Sequence, residues 1–252
     1  MSKTPLVTAV MLTGKDPSRE AYCQMAVRCF KAQTWPNKEL VIVNHGDWVV
    51  NTEEDPEIRE YRIGRMSMGL MRQAMLDHAE GEVVIQWDDD DISMPARMAV
   101  QATPIIEGKV EATFLGSQTR YSMLTNCALV GWNKQNPGID GTICHRRRPK
   151  YKYKDVKSRE DSIFRKHFDG AQLIIQGDRL HIRLHHGGNI MGEGFIMYDL
   201  TKKRNIWRLD TSHERLLANA LTKYLHIGVP PRGHRRVSPY ILPKQLIGQR
   251  IF

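Results

Sequence analysis

Four consecutive carboxylates, Asp88 to Asp91, follow the run Val83–Trp87, whose length and β-branched content predict a buried strand. Four like charges at one strand end repel each other, so we expect a compensating cation. Mg²⁺ and Mn²⁺ bind carboxylate oxygens and keep coordination positions open for phosphate. An acidic run is usually a solvated turn. Here it lies at the carboxyl end of a buried strand, where open α/β sheets bind ligands, which favours a metal site.

The elements around this run predict an α/β chain. Strands are predicted over Leu6–Thr13 and Glu39–Val43, joined by a helix over Tyr22–Ala32 with apolar helical spacing. A second helix is predicted over Gly69–Gly81. The rest of the chain is predicted to form a helix opened by Ser93 and Pro95, strands over Ala112–Gly116, Ser122–Val130, Thr142–Arg147, Leu173–Ile175 and Leu180–Leu184, and a helix over Trp207–Leu225.

Several of these motifs together resemble family 2 glycosyltransferases, which have the GT-A fold. The family reads apolar strand, D-x-D-D, proline and arginine, and it shares a Q-T-x-P-N loop, an arginine-bearing helix and a later E-D dipeptide. The matching residues are Asp88–Asp91, Pro95, Arg97, Gln33, Thr34, Pro36, Asn37, Arg72, Ala79, Gly81, Glu82, Glu160 and Asp161. The resemblance covers about residues 5–190. It implies a Rossmann-like fold with a mostly parallel central sheet.

The resemblance also implies an activity and its residues. The activity is metal-dependent, inverting transfer, of hexosyltransferase type, from a nucleotide-sugar to an acceptor hydroxyl, with Mn²⁺ or Mg²⁺ as cofactor. Asp161 is the expected general base and Glu160 supports it. The donor-binding residues are expected to be Thr13, His45, Arg72, Asp88 and Asp89, and the metal ligands Asp90 and His186. Each has a plainer alternative: acids are common at a helix start because of the dipole, and His45 and His186 can be ordinary loop histidines.

One segment departs from the family. The turn after the second predicted strand is usually Asp-Asp-Gly-Ser, and its carboxylate often reads the nucleotide base. Here the turn is Asn44-His45-Gly46-Asp47. The donor base therefore stays open, with a UDP-sugar as the expected donor.

The net charge of +9 lies in residues 201–252, which contain 11 Lys/Arg and 2 Asp/Glu. Such an excess suggests a nearby polyanion, either nucleic acid or anionic lipid, or a tail that keeps the chain soluble. Residues 146–154 alternate basic side chains with Tyr and could follow a phosphate backbone or guard a strand edge. From these we predict four acceptor-binding residues: Arg146, Arg147, Arg148 and Lys150.

The predicted organisation is a glycosyltransferase domain over 1–200, with a nucleotide-sugar half (1–95) and an acceptor half (96–200), followed by a basic extension over 201–252. One acceptor that the sequence suggests is a hydroxymethylated pyrimidine in DNA, as some viral enzymes use. Such a base must leave the base stack to react. The alternatives are a cell-surface or lipid-linked glycan, or a non-catalytic nucleotide or nucleic-acid binding module.

Composition favours an ordinary globular protein. The chain has 252 residues, of which 41% are hydrophobic and 26% charged. It has no apolar run of 18 residues, so no transmembrane segment is expected. The start of the chain leads directly into a strand, and its four cysteines, Cys23, Cys29, Cys127 and Cys144, show no metal-binding spacing. We therefore expect reduced thiols and a cytoplasmic location.

Overall fold

The computed structural model describes residues 4–14, 16–50, 54–123, 127–132, 138–186, 206–207 and 211–226. Within them the strands are β1 (Val7–Thr13), β2 (Lys38–Asn44), β3 (Ile58–Arg62), β4 (Val83–Gln86), β5 (Ile92–Ser93), β6 (Ala112–Leu115), β7 (Ser117–Ser122), β8 (Cys127–Trp132), β9 (Cys144–Arg146), β10 (Gln172–Ile175), β11 (His181–His185) and β12 (Ile206–Trp207). The helices are α1 (Glu20–Lys31), α2 (Met68–His78), α3 (Arg97–Ile106), α4 (Glu160–Arg165) and α5 (Thr211–Ala220).

A seven-stranded central sheet has the order β10-β6-β9-β4-β1-β2-β3. The neighbours β4, β1, β2 and β3 are mutually parallel, as are β10 and β6, whereas β9 runs antiparallel to β4 and β6. The predicted mixed α/β fold with a mostly parallel sheet is confirmed. The strands β1, β2 and β4 end together at Thr13, Asn44 and Gln86, and we call this side the carboxyl edge.

Alternating side chains of the central strands supply two hydrophobic cores. Along β1, Ala9 and Met11 face a core that also contains residues of α1, α3 and α5, whereas Val10 faces a core built with α2 and α4. Both faces of the sheet are therefore covered. This explains why its strands read as continuous β-branched runs in the sequence.

A second, five-stranded sheet has the order β12-β8-β7-β11-β5. The sequence does not predict it. The single strand expected over Ser122–Val130 is wrong, because the chain forms the antiparallel pair β7 and β8 there. Every residue of β7 is buried although most are polar, so no apolar alternation marks it.

The segment after the acidic run also differs from expectation. Ser93 does not cap a helix but lies in β5, which pairs with β11. Helix α3 begins at Arg97, whose guanidinium donates to Ser93 Oγ at 2.7 Å. The acidic run is therefore followed first by a strand of the second sheet and then by the helix.

Residues 211–226 pack on α1. Leu217, Leu221 and Tyr224 are buried in the same core as α1, and Arg28 Nη2 donates to the carbonyl of Tyr224 at 2.6 Å. Trp207 belongs to β12 rather than to the predicted helix. Residues 187–205 and 227–252, including the basic loop at 232–236, lie outside the described residues, and the domain division stays a prediction. None of the helices in the described ranges is long and apolar enough to cross a membrane.

Candidate active site

The acidic run leaves the central sheet at the carboxyl edge. All four residues of β4 are buried, and the next residue, Trp87, is held by its indole N–H donating to the carbonyl of Ala26 at 3.1 Å. Asp88 to Asp91 follow, and the chain then joins the second sheet as β5. Because both ends of the run are anchored, its four carboxylates are presented in fixed and different directions.

Asp89 and Asp90 share one arginine, and with His186 they form what we call the Arg19 cluster. Arg19 Nε donates to Asp89 Oδ2 at 3.0 Å, and Arg19 Nη2 contacts Asp89 Oδ1 and donates to Asp90 Oδ2 at 2.9 Å. His186 Nε2 lies 3.3 Å from the same Asp90 oxygen. Burial raises the pKa of Asp89 and the neighbouring Asp90 adds to this, whereas Arg19 opposes it.

Asp91 points the other way and has a structural role. Its Oδ1 accepts from the backbone N–H of Leu184 at 3.0 Å, and its Oδ2 lies 3.2 Å from His181 Nε2. Burial raises its pKa to about 7, against the opposing effect of Arg183. The last carboxylate of the run therefore fastens the acidic segment to β11.

Asp88 belongs to a second group, the Arg72 cluster, with Glu160 and Asp161. Arg72 Nη2 lies 3.4 Å from Asp88 Oδ1, and its Nε lies 3.8 Å from Glu160 Oε1 and 3.7 Å from Asp161 Oδ1. With its amide oxygen facing Arg72, Gln86 accepts from Arg72 Nη2 at 2.9 Å and donates to Asp161 Oδ1 at 3.3 Å. Three carboxylates thus face one guanidinium.

This excess of negative charge changes the acid strengths in the Arg72 cluster. Burial raises the pKa of Asp161, Arg72 opposes the rise, and Asp88 adds to it. Burial and Asp161 likewise raise the pKa of Glu160. Asp88 is the exception, because Arg72 and Arg183 outweigh its burial and lower its pKa. A carboxylate with a raised pKa holds a proton more firmly, as a general base requires.

Close packing between α2 and the loop before α4 brings Arg72 and Asp161 together. Ser67 caps α2 by accepting from Leu70 N, and its hydroxyl donates to Asp155 at 2.5 Å. A Cβ on Gly69 would lie 1.8 Å from the carbonyl oxygen of Lys154, so only glycine permits this approach.

Tyr153 fixes the other side of the same contact. Its ring stacks on Phe164 of α4 at 4.0 Å between centroids, and its hydroxyl lies 3.5 Å from Asp161 Oδ1. These two contacts hold the first residues of α4, including Asp161, close to Arg72.

A cavity of about 200 Å³ opens beside the Arg19 cluster. It is lined by Thr13, Gly14, Asp16, Arg19, His45 and Asp89, with further apolar residues. The imidazole of His45 lies over Gly14, where a Cβ would come 2.1 Å from Nε2. The predicted donor-binding residues Thr13, His45 and Asp89 thus line one cavity, while Arg72 and Asp88 lie in the Arg72 cluster.

The predicted acceptor-binding residues are not brought to this site. Because β9 is antiparallel to β4, Arg146 pairs with Val83 at the start of β4, at the opposite edge of the sheet. Arg146 Nη2 contacts the carbonyl of Ile105, Arg147 donates to the carbonyls of Gly81 and Glu80, and Arg148 pairs with Glu111.

The tyrosines that follow Arg146–Arg148 also contact other parts of the protein. Lys150 lies over the ring of Tyr151 at 5.0 Å. Tyr151 and Tyr153 are buried in the core and do not offer their faces to bases.

The predicted metal ligands Asp90 and His186 do come together. Over the described residues, however, no group of three or more His, Cys, Asp or Glu side chains is arranged to hold a metal ion. Arg19 supplies the positive charge in this geometry.

Sequence reasoning missed Arg19, Gln86 and Tyr153. Arg19 lies 70 positions from Asp89, and no local pattern links them. Gln86 had a usable signal, since it is a polar residue within an apolar run that leads directly into the acidic run. Tyr153 lies between two lysines and seven residues before Glu160, so no local pattern marks it.

Comparison with known proteins identifies the fold. No protein-family model and no curated protein sequence matches the chain. Among solved structures, S. aureus TarS matches at a TM-score of 0.56 and 16% identity, covering 88% of this chain and 44% of TarS. TarS 1-349 in complex with UDP-GlcNAc matches at 0.58 and 14% identity, covering 88% and 73%.

The mannosyltransferase PcManGT from Pyrobaculum calidifontis, in complex with GDP-Man and Mn²⁺, matches at 0.53 and 14% identity, covering 91% of this chain and 67% of that one. At these identities the likeness shows the fold, which is that of GT-A-type glycosyltransferases. This chain spans less than half of the full TarS chain.

Proposed function

We propose that this chain is a metal-dependent, inverting glycosyltransferase that moves a sugar from a nucleotide-sugar to an acceptor hydroxyl. One observation carries the proposal: Asp88 and Asp161, far apart in sequence, converge on Arg72 at the carboxyl edge, next to the cavity bounded by Asp89. The edge of the sheet where open α/β folds bind ligands therefore carries both a donor pocket and a carboxylate suited to proton removal.

The donor is a nucleotide-sugar, with a UDP-sugar as the first candidate. Solved neighbours of this fold carry UDP-GlcNAc or GDP-Man, which supports the class of ligand. The cavity between Thr13 and His45 receives the nucleotide, and the imidazole of His45 stands where the family usually has a base-reading carboxylate.

Asp89, Asp90 and His186 have the ligand chemistry of a divalent-ion site, although in this structure they contact Arg19 and each other and are not arranged around one ion. Asp90 and His186 share an oxygen–nitrogen contact of 3.3 Å, and Asp89 adds a carboxylate already facing a cation. Carboxylate and imidazole ligands suit Mn²⁺, and carboxylates suit Mg²⁺. When bound, the ion would stabilise the negative charge of the departing diphosphate.

The remaining chemistry belongs to the Arg72 cluster. The acceptor oxygen forms a bond to the anomeric carbon as that carbon's bond to the diphosphate oxygen breaks, and the diphosphate leaves with the electron pair. The hydroxyl proton passes to Asp161 on the opposite side of the sugar, which inverts the anomeric centre. Arg72 orients Asp161 and Asp88, lowers the pKa of Asp88 and opposes the rise in the pKa of Asp161, and Glu160 supports the base.

The acceptor is to be found by experiment. A nucleic-acid acceptor such as hydroxymethylated DNA is now supported only by the basic excess of residues 201–252, because Arg146–Arg148 contact other parts of the protein. A cell-surface or lipid-linked glycan is the competing acceptor.

The test is a panel of nucleotide-sugars with labelled sugar, in Mn²⁺ or in chelator. Hydroxymethylated DNA, unmodified DNA and anionic vesicles carrying a lipid-linked glycan are offered separately. Label on one acceptor, with release of nucleoside diphosphate, supports the enzyme and names its acceptor class. Donor binding without release or transfer on any acceptor would favour the non-catalytic binding module.

A single substitution tests the metal. Asp90→Ala removes a predicted ligand, so transfer and Mn²⁺-dependent donor binding are expected to be lost while the circular dichroism spectrum is retained. Asp169→Ala, which removes an exposed carboxylate after α4 that belongs to neither cluster, serves as the control. Activity of Asp90→Ala in the presence of chelator would contradict the metal role.

A further inference from the structure

The strands β7 and β11 of the second sheet carry different side chains on their two faces. Because side chains alternate along a strand, Tyr121, Ile182 and Leu184 lie together in the core built with α1. The opposite face, which we call the polar face, is formed by Gln118, Arg120 and Ser122 of β7 and by His181, Arg183 and His185 of β11. Arg183 is registered beside Arg120. Two guanidinium groups therefore arise from adjacent strands, whose backbones are about 4.8 Å apart.

The polar face adjoins the side of the candidate site that holds the proposed base. The antiparallel register of β5 and β11, continued by one residue, sets Asp91 opposite Arg183. Arg183 also acts on Asp88, where together with Arg72 it outweighs burial and lowers the pKa. Asp88 in turn shares Arg72 with Asp161. A molecule whose hydroxyl lies at Asp161 can therefore extend along the acidic run onto the polar face.

Buried polar atoms on this face have no partner. Over the described residues, neither amide atom of Gln118 and neither ring nitrogen of His185 makes a hydrogen bond. Both residues are 1% exposed. Most buried polar groups in proteins are hydrogen-bonded, and an unpaired one lowers the stability of the folded chain. Unpaired atoms on two different strands, beside two arginines, indicate a face that a polar ligand completes.

The charge of the polar face is positive. Burial, together with the charges of Arg183 and Arg120, lowers the pKa of His185 to about 4, so its ring adds no charge near pH 7. Arg120 lies across the backbone of β8, where a Cβ on Gly131 would come 2.6 Å from its Nε. The acidic run balances Arg183, which is a structural role, but Arg120 is one strand further from those acids. An oxyanion bound between the two guanidinium groups would remove their mutual repulsion.

We propose that the polar face is a subsite for an oxyanion of the acceptor, a phosphate or a carboxylate carried close to the reacting hydroxyl. Arg183 and Arg120 bind the anion through their guanidinium forks, and Gln118 and His185 complete its hydrogen bonds. The donor diphosphate has its own place, in the cavity beside the Arg19 cluster. The assignment to the acceptor rests on the proposed function. It narrows the acceptor to molecules that carry such an anion and excludes a neutral glycan.

The test measures the binding of three small polyols by titration calorimetry. Glycerol phosphate, glycerate and glycerol carry a phosphate, a carboxylate and no charge, respectively. Each is titrated in saturating UDP and Mn²⁺, so that the donor cavity is filled and cannot take the anion. An anionic probe is expected to bind about 10- to 100-fold more tightly than glycerol, as hydrogen bonds to a charged group imply. The anion that binds more tightly names the group that the acceptor carries.

Single substitutions locate that binding. Arg183→Gln and Arg120→Gln are each expected to weaken binding of the anionic probe about 10-fold, and Arg120→Gln is expected to leave UDP affinity unchanged. Arg183→Lys keeps the charge but not the fork, so its affinity is expected between those of wild type and Arg183→Gln. Arg148→Gln is the matched control, because it removes an arginine that pairs with Glu111 at the opposite edge of the central sheet.

Gln118→Leu separates a binding role from a structural one. Leucine has a similar volume and no polar side-chain atoms, so it removes two unpaired buried atoms. The ligand-free variant is expected to unfold at a higher temperature than wild type and to bind the anionic probe about 10-fold more weakly. A lower unfolding temperature with unchanged probe binding would mean that the amide serves the fold alone, which contradicts the subsite.

The remaining outcomes separate the subsite from the proposed function. Equal binding of all three polyols, or an equal loss in Arg148→Gln and Arg120→Gln, overturns the subsite. Binding of the anion only when UDP is absent also overturns it, because the anion then occupies the donor cavity. If UDP binds and no anionic probe does, the proposed function stands without the subsite. If the anion binds and UDP does not, the anion site stands and the proposed function fails.

Discussion

The Arg19 cluster and the Arg72 cluster use the same residue types in opposite ways. Arg19 makes close hydrogen bonds of 2.9 to 3.0 Å to two aspartates, so one positive charge faces two negative charges. Arg72 faces three carboxylates at 3.4 to 3.8 Å, so negative charge is in excess. The first arrangement holds its two acids in direct hydrogen bonds to the guanidinium, whereas the second leaves the proposed base, Asp161, 3.7 Å from its guanidinium and with a raised pKa. Distance and stoichiometry, rather than residue type, separate the two roles.

The largest expected effect comes from removing Asp161, the proposed base, from the Arg72 cluster. Asp161→Asn keeps the shape but cannot accept a proton, so kcat is expected to fall about 10²- to 10⁴-fold with donor affinity unchanged. Steady-state kinetics and donor titration measure both quantities. Substitution of the neighbouring acid, Glu160→Gln, is expected to lower kcat much less.

The same Asp161→Asn variant also reports on charge excess. Burial raises the pKa of Asp161 above that of the unfolded chain, so its ionised form lowers the stability of the folded state as pH rises through the folded pKa. The amide mimics the protonated acid. Asp161→Asn is therefore expected to unfold at a higher temperature than wild type at pH 7, and a lower unfolding temperature would contradict the excess of charge.

A smaller effect is expected when the central guanidinium is removed. Arg72→Gln leaves three carboxylates facing each other, and we expect a loss of about 1 to 3 kcal/mol in unfolding free energy at pH 8. Because Arg72 lowers the pKa of Asp88, Glu160 and Asp161, the loss should shrink as pH falls and these acids become protonated.

Chemical denaturation at two pH values measures that loss, with Arg19→Gln as the comparison. The Arg19 variant should lose less unfolding free energy, since Asp89 borders a cavity of about 200 Å³ in which water can solvate its carboxylate. Equal losses in both variants would remove the distinction between the clusters.

The smallest effect concerns a carboxylate outside both clusters. Asp140 is one of the groups that raise the pKa of Asp161, and it accepts from Ser162 and Arg165 rather than meeting a substrate. Asp140→Asn should lower that pKa, so the acid limb of the kcat profile should move to lower pH. Glu107→Gln, an exposed acid near Lys109, should leave the limb in place. An unmoved limb in Asp140→Asn would argue that Asp161 is not the base.

The sequence predicted the parts of the molecule that carry their own pattern. The strands β1, β2 and β4 are short β-branched runs. The acidic motif at Asp88–Asp91 directly follows β4, so it can be recognised from neighbouring residues alone. The strand β7 was missed because its buried residues, such as Gln118 and Arg120, are polar, so the sequence shows no apolar alternation there, and the strand is defined by its pairing with β8 and β11.

The residues of the candidate site also divide into those that a local motif identifies and those that only the folded structure brings together. Asp161 and Arg72 could be placed from motifs, but Arg19 could not, because its role exists only through a contact across 70 residues. Arg146–Arg148 were assigned to the acceptor from charge alone. Charge does not say which edge of the sheet a residue faces, and antiparallel β9 turns these residues away from the site.

The attachment of the acidic run to two different sheets limits how the chain can change its length. Surface loops usually accept insertions and deletions. Here β4 is registered on β1 and β9, whereas β5 is registered on β11, and Asp91 is tied to Leu184 and His181. One added residue would turn β5 over or break those ties. We expect the number of residues between Gln86 and Ile92 to be kept among natural variants, even in copies whose carboxylates have been replaced.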